Sequence, residues 1–406
     1  MTEKNKSIKK FPNSGNIPKL RFSEFTEEWG TKTLGKIGQV INGLTYSPND
    51  IDEHGVLVLR SSNVQNRTIT FTDNVFVKAN NFNPVKENDI LICVRNGSKN
   101  LIGKNALVKK QNEGLAFGAF MAIYRSEFNR FLFQWFDTKD YKDIVNKNLG
   151  ATINSINGGD LKKFKVPFPS LKEQEKIASF LSLIDERILS QKKIIEDLQI
   201  TKKEISLKLF KDGFNSPKSK KENFQKLGDI TYVVNKKNKE NLKLPVYSIN
   251  NKKGFISQSE QFDGIDSDER GYDISLYKII EKETFAYNPA RINVGSIGYS
   301  GNLENIIISS LYVCFKTTDT VDDGFLFQYL RTDIFRKEVL RNVEGGVRDY
   351  LFYESFSRIK INLPDIKEQK KIAEFLYKLD EKINLENDLL IQYENQKKYL
   401  LQNLFI

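Results

Sequence analysis

The residue sets that could do chemistry in this chain are few, and each falls short of its reaction. Asn288-Pro289-Ala290-Arg291 begins like the Asn-Pro-Pro-Tyr arrangement that holds an amino group for methyl transfer. It lacks the second proline and the aromatic, and no glycine-rich cofactor loop accompanies it. Gly97 to Lys104 (GSKNLIGK) has the look of a phosphate-binding loop, yet five residues rather than four separate its glycines, and Asn105 stands where a Ser or Thr would hold magnesium. Pro364-Asp365-x-x-Glu368-x-Lys370 spells part of a nuclease motif; it opens a helix whose counterpart carries Ser170 in place of Asp365, so it is read as a cap. One histidine, His54, and two cysteines, Cys93 and Cys314, leave no metal set, no Ser-His-Asp triad and no disulfide framework. No catalytic residue and no metal ligand is assigned, and the chain is expected not to be an enzyme.

Recognition chemistry remains. Arg and Asn can read guanine and adenine edges in bidentate fashion, while Lys, Ser and backbone amides hold phosphates. Loop runs rich in these residues supply the DNA-binding candidates. They are Tyr46, Arg60, Ser61, Asn63, Arg67, Arg95, Asn96 and Lys99 in the first half, and Lys236, Lys237, Asn250, Lys252, Lys253, Arg291, Asn293 and Arg348 in the second. The bland alternative for each is an ordinary solvated loop side chain. Charge agrees only in part: 63 Lys and Arg against 52 Asp and Glu give +11, which favours a polyanionic partner. Much of that excess lies in residues 1–21 and 212–226, and 227–364 is slightly acidic, so any DNA surface must be local.

The elements that must carry these loops are announced by an internal repeat. The run Phe164 to Phe210 aligns without a gap to Ile359 to Phe405 at an offset of 195, with 17 of 47 positions identical, densest at Lys172-Glu173-Gln174 against Lys367-Glu368-Gln369. Upstream, Leu34-Gly35 and Phe131 to Gln134 echo Leu227-Gly228 and Phe325 to Gln328. Each half is therefore one variable unit followed by one long helix. The variable units, with short apolar runs such as Ile90 to Cys93 and Met121 to Tyr124 between Gly, Asn, Asp and Pro, read as β-rich, with one helix near the end of each, from Arg130 to about Asn148 and from Phe325 to about Arg341.

Both long helices carry a heptad seam: Ile177, Leu181, Ile184, Ile188, Ile195, Leu198, Ile205 and Leu209 in the first, Ile372, Leu376, Leu379, Ile383, Leu390, Tyr393, Leu400 and Leu404 in the second. The seams are interrupted at equivalent places, Gln191 and Lys202 against Glu386 and Lys397. Such a polar residue either fixes register or snorkels out of a frayed stripe. The two helices are expected to pair antiparallel within the chain about a pseudo-twofold axis; assembly with other chains through the same seams is the alternative.

The fold class is thus α+β, two β-rich variable domains separated by two long antiparallel coiled-coil helices with a pseudo-twofold repeat. The expected organisation is a flexible basic tail (1–21), a first variable domain (22–169), a central helix (170–211), a linker (212–226), a second variable domain (227–364) and a C-terminal helix (365–406). The first 30 residues lack an apolar leader segment and no run of 18 apolar residues occurs, so a soluble, cytoplasmic protein with no membrane partner is expected.

With the repeat, the Lys-Glu-Gln-x-Lys-Ile-Ala-x-Phe-Leu helices and the opening Pro18-Lys19-Leu20-Arg21-Phe22-x-Glu24-Phe25-x-x-x-Trp29 in view, nearly the whole chain resembles the specificity (S) subunit of type I restriction-modification systems. The resemblance implies a non-catalytic reader of double-stranded DNA whose two variable domains are target-recognition domains, each reading half of a bipartite, asymmetric target. It also implies helices that set the gap and dock two modification subunits, with two restriction subunits joined through them. S-adenosylmethionine, ATP and magnesium would belong to those partners. A coiled-coil adaptor without sequence readout explains the helices but not two long, divergent β units.

Overall fold

The computed structural model describes residues 8–10, 15–149, 154–212, 223–251, 253–258, 273–343 and 350–406. Lys252 and Arg348, two of the candidates, lie outside them, as do most of the tail and the linker. The chain forms two compact units, the first from residues 1–191 and 389–406, the second from 192–388.

In the first unit the apolar run Ile90–Cys93 is wholly buried and lies second in an antiparallel sheet ordered Asn105–Leu107, Ile90–Cys93, Met121–Arg125, Gln39–Asn42. Cys93 faces Met121 and Ile92 faces Asn105 across that sheet. A second sheet is built on Ile51–Leu59, which pairs antiparallel with Phe76–Val77 and parallel with Ala116–Phe117, Ala116 opposite Val58. Gly43 sits where that parallel pair closes on the first sheet; a Cβ there would lie 2.2 Å from the Gly118 carbonyl oxygen.

The second unit has the same plan in residues that barely agree with the first. Ile297–Tyr299, Phe285–Tyr287, Val313–Thr317 and Thr231–Val233 form the antiparallel sheet, and Val246–Asn250 pairs antiparallel with Gly254–Ser257 but parallel with Ile306–Ile308. Parallel pairing between short strands in otherwise antiparallel surroundings is an uncommon arrangement, and it occurs in both units. In each, one further strand pair brings the start of the unit to the strand before its long helix: Gly30–Thr33 with Lys165–Phe168, and Phe224–Lys226 with Lys360–Asn362.

The helix read from Arg130 to Asn148 is two, Asn129–Trp135 and Lys139–Lys147, and its counterpart is likewise divided into Asp323–Leu330 and Asp333–Asn342. A threonine makes each break. Thr138 accepts from Tyr141 N at 3.3 Å and Thr332 from Phe335 N at 3.2 Å, so each hydroxyl caps a new helix where the apolar pattern alone runs on.

The long helices are Leu171–Asp212 and Ile366–Leu404. Asp365 caps the second, its Oδ1 taking the Glu368 amide at 2.9 Å. The repeated glutamines reach back at both starts: Gln174 donates to the Pro169 carbonyl at 2.8 Å and Gln369 to the Pro364 carbonyl at 2.9 Å. Within the first unit the two helices run antiparallel, since Arg187 lies over Tyr393 while Asp185 meets Lys397. Ile177, Leu181, Ile184 and Ile188 join Leu400 and Leu404 in its core, with Leu390 and Tyr393 half-buried beside them. In the second unit Ile372 and Leu376 share a core with Leu209, with Ile205 and Leu379 packed against it. Ile195 and Ile383 are buried, and Leu198 is half-buried.

Candidate nucleic-acid interface

In the first unit one end of the sheets gathers Tyr46, Arg60 and Ser61 around an open cavity of about 600 Å³, completed by Leu44, Thr45, Ser62, Asp73 and Phe120 among others. Arg60 follows directly on its strand and is turned by a tight helical turn at Ser61–Asn63; its Nη2 reaches Asp73 at 2.7 Å. Asn96 donates to Ser61 Oγ at 3.1 Å, and Lys104 Nζ reaches the Ser61 carbonyl at 3.5 Å. Arg95 lies over the Phe120 ring at 5.8 Å. Lys99 is exposed in the short turn Lys99–Leu101. Tyr46, Arg60, Ser61, Arg95 and Asn96 are therefore neighbours.

Two candidates are committed elsewhere. Asn63 is fully buried, its Oδ1 accepting from Arg60 N at 2.9 Å and its Nδ2 donating to the Thr70 carbonyl at 3.0 Å. It shapes a turn and offers no edge to a base. Arg67 follows Asn66 at the tip of the hairpin Val64–Gln65/Thr68–Ile69, both with positive φ (61° and 49°), the conformation a two-residue turn of that hand needs. Its guanidinium lies 3.8 Å over Phe133, donates to the Asn105 side chain at 3.0 Å and to the Phe133 carbonyl, and faces Asp137 at 3.6 Å. Burial would raise the Asp137 carboxyl, but Arg67, Lys397 and Lys142 outweigh it and hold it below 3.8. The fork of Arg67 is thus occupied inside the unit.

In the second unit Asn250 and Lys253 occupy the turn between Val246–Asn250 and Gly254–Ser257, Asn250 Oδ1 taking the Lys253 amide at 3.2 Å. Arg291, exposed, and Asn293, half-buried, lie in the connection that leads to Ile297–Tyr299, and Ser296 Oγ donates to the Ile249 carbonyl at 3.3 Å. These two turns are adjacent. Lys236 and Lys237 stand apart beside Lys278–Ile280, and Lys236 pairs with Glu281 at 2.9 Å.

Sequence reading missed Phe120, more than half exposed, because a search for charge passes over an aromatic. It also missed the partnership of Arg21 and Glu173, a bidentate ion pair at 2.8 Å with both side chains almost fully buried. Both cysteines are inert: burial pushes the Cys93 and Cys314 thiols up to about 11. Among the described residues no cluster of His, Cys, Asp or Glu could hold a metal ion, and no helix is long and apolar enough to cross a membrane.

Two units of one topology, each bearing a polar loop cluster and tied to half of two long helices, define a duplicated recognition protein. The model of the type I restriction modification DNA specificity domain matches residues 26–199 and again 215–395, and the chain belongs to that family. It is 28% identical over 414 aligned residues, 95% of either chain, to a putative type I restriction enzyme MjaX specificity subunit of Methanocaldococcus jannaschii. It is 29% identical to the type I restriction enzyme EcoKI specificity subunit of Escherichia coli over 44% of this chain and 40% of that one. In fold it is similar to the type I restriction-modification system S subunit from M. genitalium, with a TM-score of 0.62 and 18% identity over 96% of this chain and 99% of that one.

Proposed function

We propose that this chain is the DNA-reading subunit of a type I restriction-modification complex and catalyses nothing itself. Each unit reads one half of a bipartite target in double-stranded DNA, and the long helices set the gap. Two modification subunits dock on the repeated helices, and restriction subunits join through them. S-adenosylmethionine, ATP and magnesium bind those partners, and the complex works in the cytoplasm.

The observation that carries this reading is the contrast within the repeat. The helix starts share Lys-Glu-Gln-x-Lys-Ile-Ala-x-Phe-Leu, and both units contain the four-stranded antiparallel sheet and the parallel strand pair, while the loops on that frame differ. Two copies of one partner need two similar surfaces on one chain, whereas two different half-sites need different loops. Leu171 and Ile366, at equivalent places on the helix starts, are both exposed and suit such docking. In the second unit, the turns at Asn250, Lys253, Arg291 and Asn293 are the base-reading candidates.

The test is a unit exchange. Residues 227 to 358 are replaced by the corresponding unit of a relative, the chain is expressed with its modification subunit, and the methylated motif is read genome-wide. One half of the motif should change. Change in both halves, or assembly with no sequence preference in either protein, overturns the proposal.

A further inference from the structure

We propose that Arg95, laid over the exposed ring of Phe120, is the residue through which the first unit reads a guanine in the major groove of its half-site. The assignment rests on the reading of this unit as a DNA reader and names its specificity-determining side chain. Of the arginines in the unit, Arg21, Arg60, Arg67 and Arg125 are held by Glu173, Asp73, Asp137 and Asp89. Arg187 lies on the first long helix over Tyr393. Arg130 opens the helix that follows the far end of Met121–Arg125, away from Phe120, which precedes that strand. Among the described residues, Arg95 alone combines an exposed guanidinium without an ion pair and a place beside the cavity formed by Tyr46, Arg60 and Ser61.

Its backbone is fixed from both sides. The Phe120 carbonyl accepts from Val94 N at 3.0 Å and from Arg95 N at 3.1 Å, so the residue that supplies the platform also anchors the strand end. Arg95 forms a bridge with Ser155, and the next residue, Asn96, is tied through its amide to the Asn154 carbonyl at 3.2 Å and through its side chain to Ser61. At 5.8 Å from the ring centroid the guanidinium is within reach of a cation–π attraction, and no ion pair among the described residues occupies its N–H groups. With its backbone anchored and no ion pair to break, it can donate two parallel bonds to guanine O6 and N7, the pairing for which its fork is shaped. A phosphate contact would need only the charge.

The chain in complex with its modification subunit is assayed for methylation of a library randomised over the half-site, as wild type, Arg95→Ala, Arg95→Lys and Phe120→Ala. Discrimination at one guanine should fall roughly 5- to 150-fold in Arg95→Ala. The second half of the motif and assembly should be unchanged, which also shows that the variant is folded. Arg95→Lys keeps the charge without the fork and should not restore the preference; Phe120→Ala should weaken it at the same position. Arg95 is a phosphate contact, and the assignment falls, if Arg95→Ala lowers methylation evenly across sequences and Arg95→Lys recovers it. A wild-type motif that Arg95→Ala leaves intact sinks the assignment alone. A wild-type complex with no preference removes the underlying reading and the assignment together.

Discussion

The carboxylate of Asp185 holds the ammonium of Lys397 at 2.5 Å inside a seam otherwise lined mainly by aliphatic side chains. The same pair occurs in the second unit 195 residues away in each partner's numbering, Lys202 to Asp380 at 2.5 Å. A glutamine of the recognition unit completes each: Gln134 donates to Asp185 at 3.0 Å and Gln328 to Asp380 at 2.8 Å. One aspartate thus ties its own long helix, the other long helix and a short helix of the β unit together. These two lysines do not snorkel; they are turned inward and paired, as a register-fixing residue should be. The copies differ at one place, where Asp137 adds a second carboxylate to Lys397 at 2.7 Å and Arg331 instead lies near Asp380 at 3.7 Å.

Removing Lys397 leaves two carboxylates facing each other with only Arg67 and Lys142 nearby. Lys397→Ala should cost about 2 to 4 kcal/mol, toward the lower end because both carboxylates keep some contact with water. Lys202→Ala should cost less, since Arg331 still faces Asp380. Urea unfolding of the two variants checks the order, and a double-mutant cycle with Asp185→Asn gives the coupling.

Acid tests the same cluster through Asp137. Its folded-state value lies below 3.8, burial being outweighed by Arg67 and Lys397, so its contribution to stability is present in full above the unfolded value of about 4 and is lost as pH falls through the folded value. Asp137→Asn should therefore melt below wild type at pH 7, and the gap should close below about pH 4. A gap that widens on acidification would contradict the assignment.

Arg21 and Glu173 are both nearly excluded from solvent and bonded twice. Glu173→Gln strands a buried guanidinium and should destabilise by about 3 to 5 kcal/mol. The identical letter in the second helix, Glu368, is only half-buried. Glu368→Gln should cost less, and thermal melts of the two variants side by side decide it.

If the helices set the gap, lengthening them should lengthen it. Four residues inserted after Glu196 add roughly 6 Å and keep the seam closest to phase, slightly more than one turn of 3.6. The same two half-sites should then be methylated with about one or two more base pairs between them, at about 3.4 Å each. Activity retained on the original gap would assign the spacing to the linker.

The long helices were legible because heptads and caps act over a few residues: Ile177 to Leu181 and Asp365 declare themselves locally. The sheets were only partly so. Ile90–Cys93 reads as a buried strand, but the parallel bond of Val58 to Ala116 joins segments whose patterns say nothing of each other. The site suffered most. Arg67 and Asn63 look like free loop side chains until Phe133, Asn105 and Thr70 are brought to them by the fold. Charge counting cannot see that four arginines of the first unit are already spoken for, nor that an uncharged Phe120 supports a fifth.

The composition of the first unit from residues 1–191 and 389–406 bears on the order of synthesis. Phe405 packs against Trp29 and Phe131 in its core, with ring centroids 6.2 and 5.4 Å apart. The ribosome makes residues 192–388 in one uninterrupted stretch before it reaches that phenylalanine. The N-terminal unit is thus completed last, and a nascent chain truncated before residue 389 would carry a finishable second reader and a first one whose hydrophobic floor has yet to be translated.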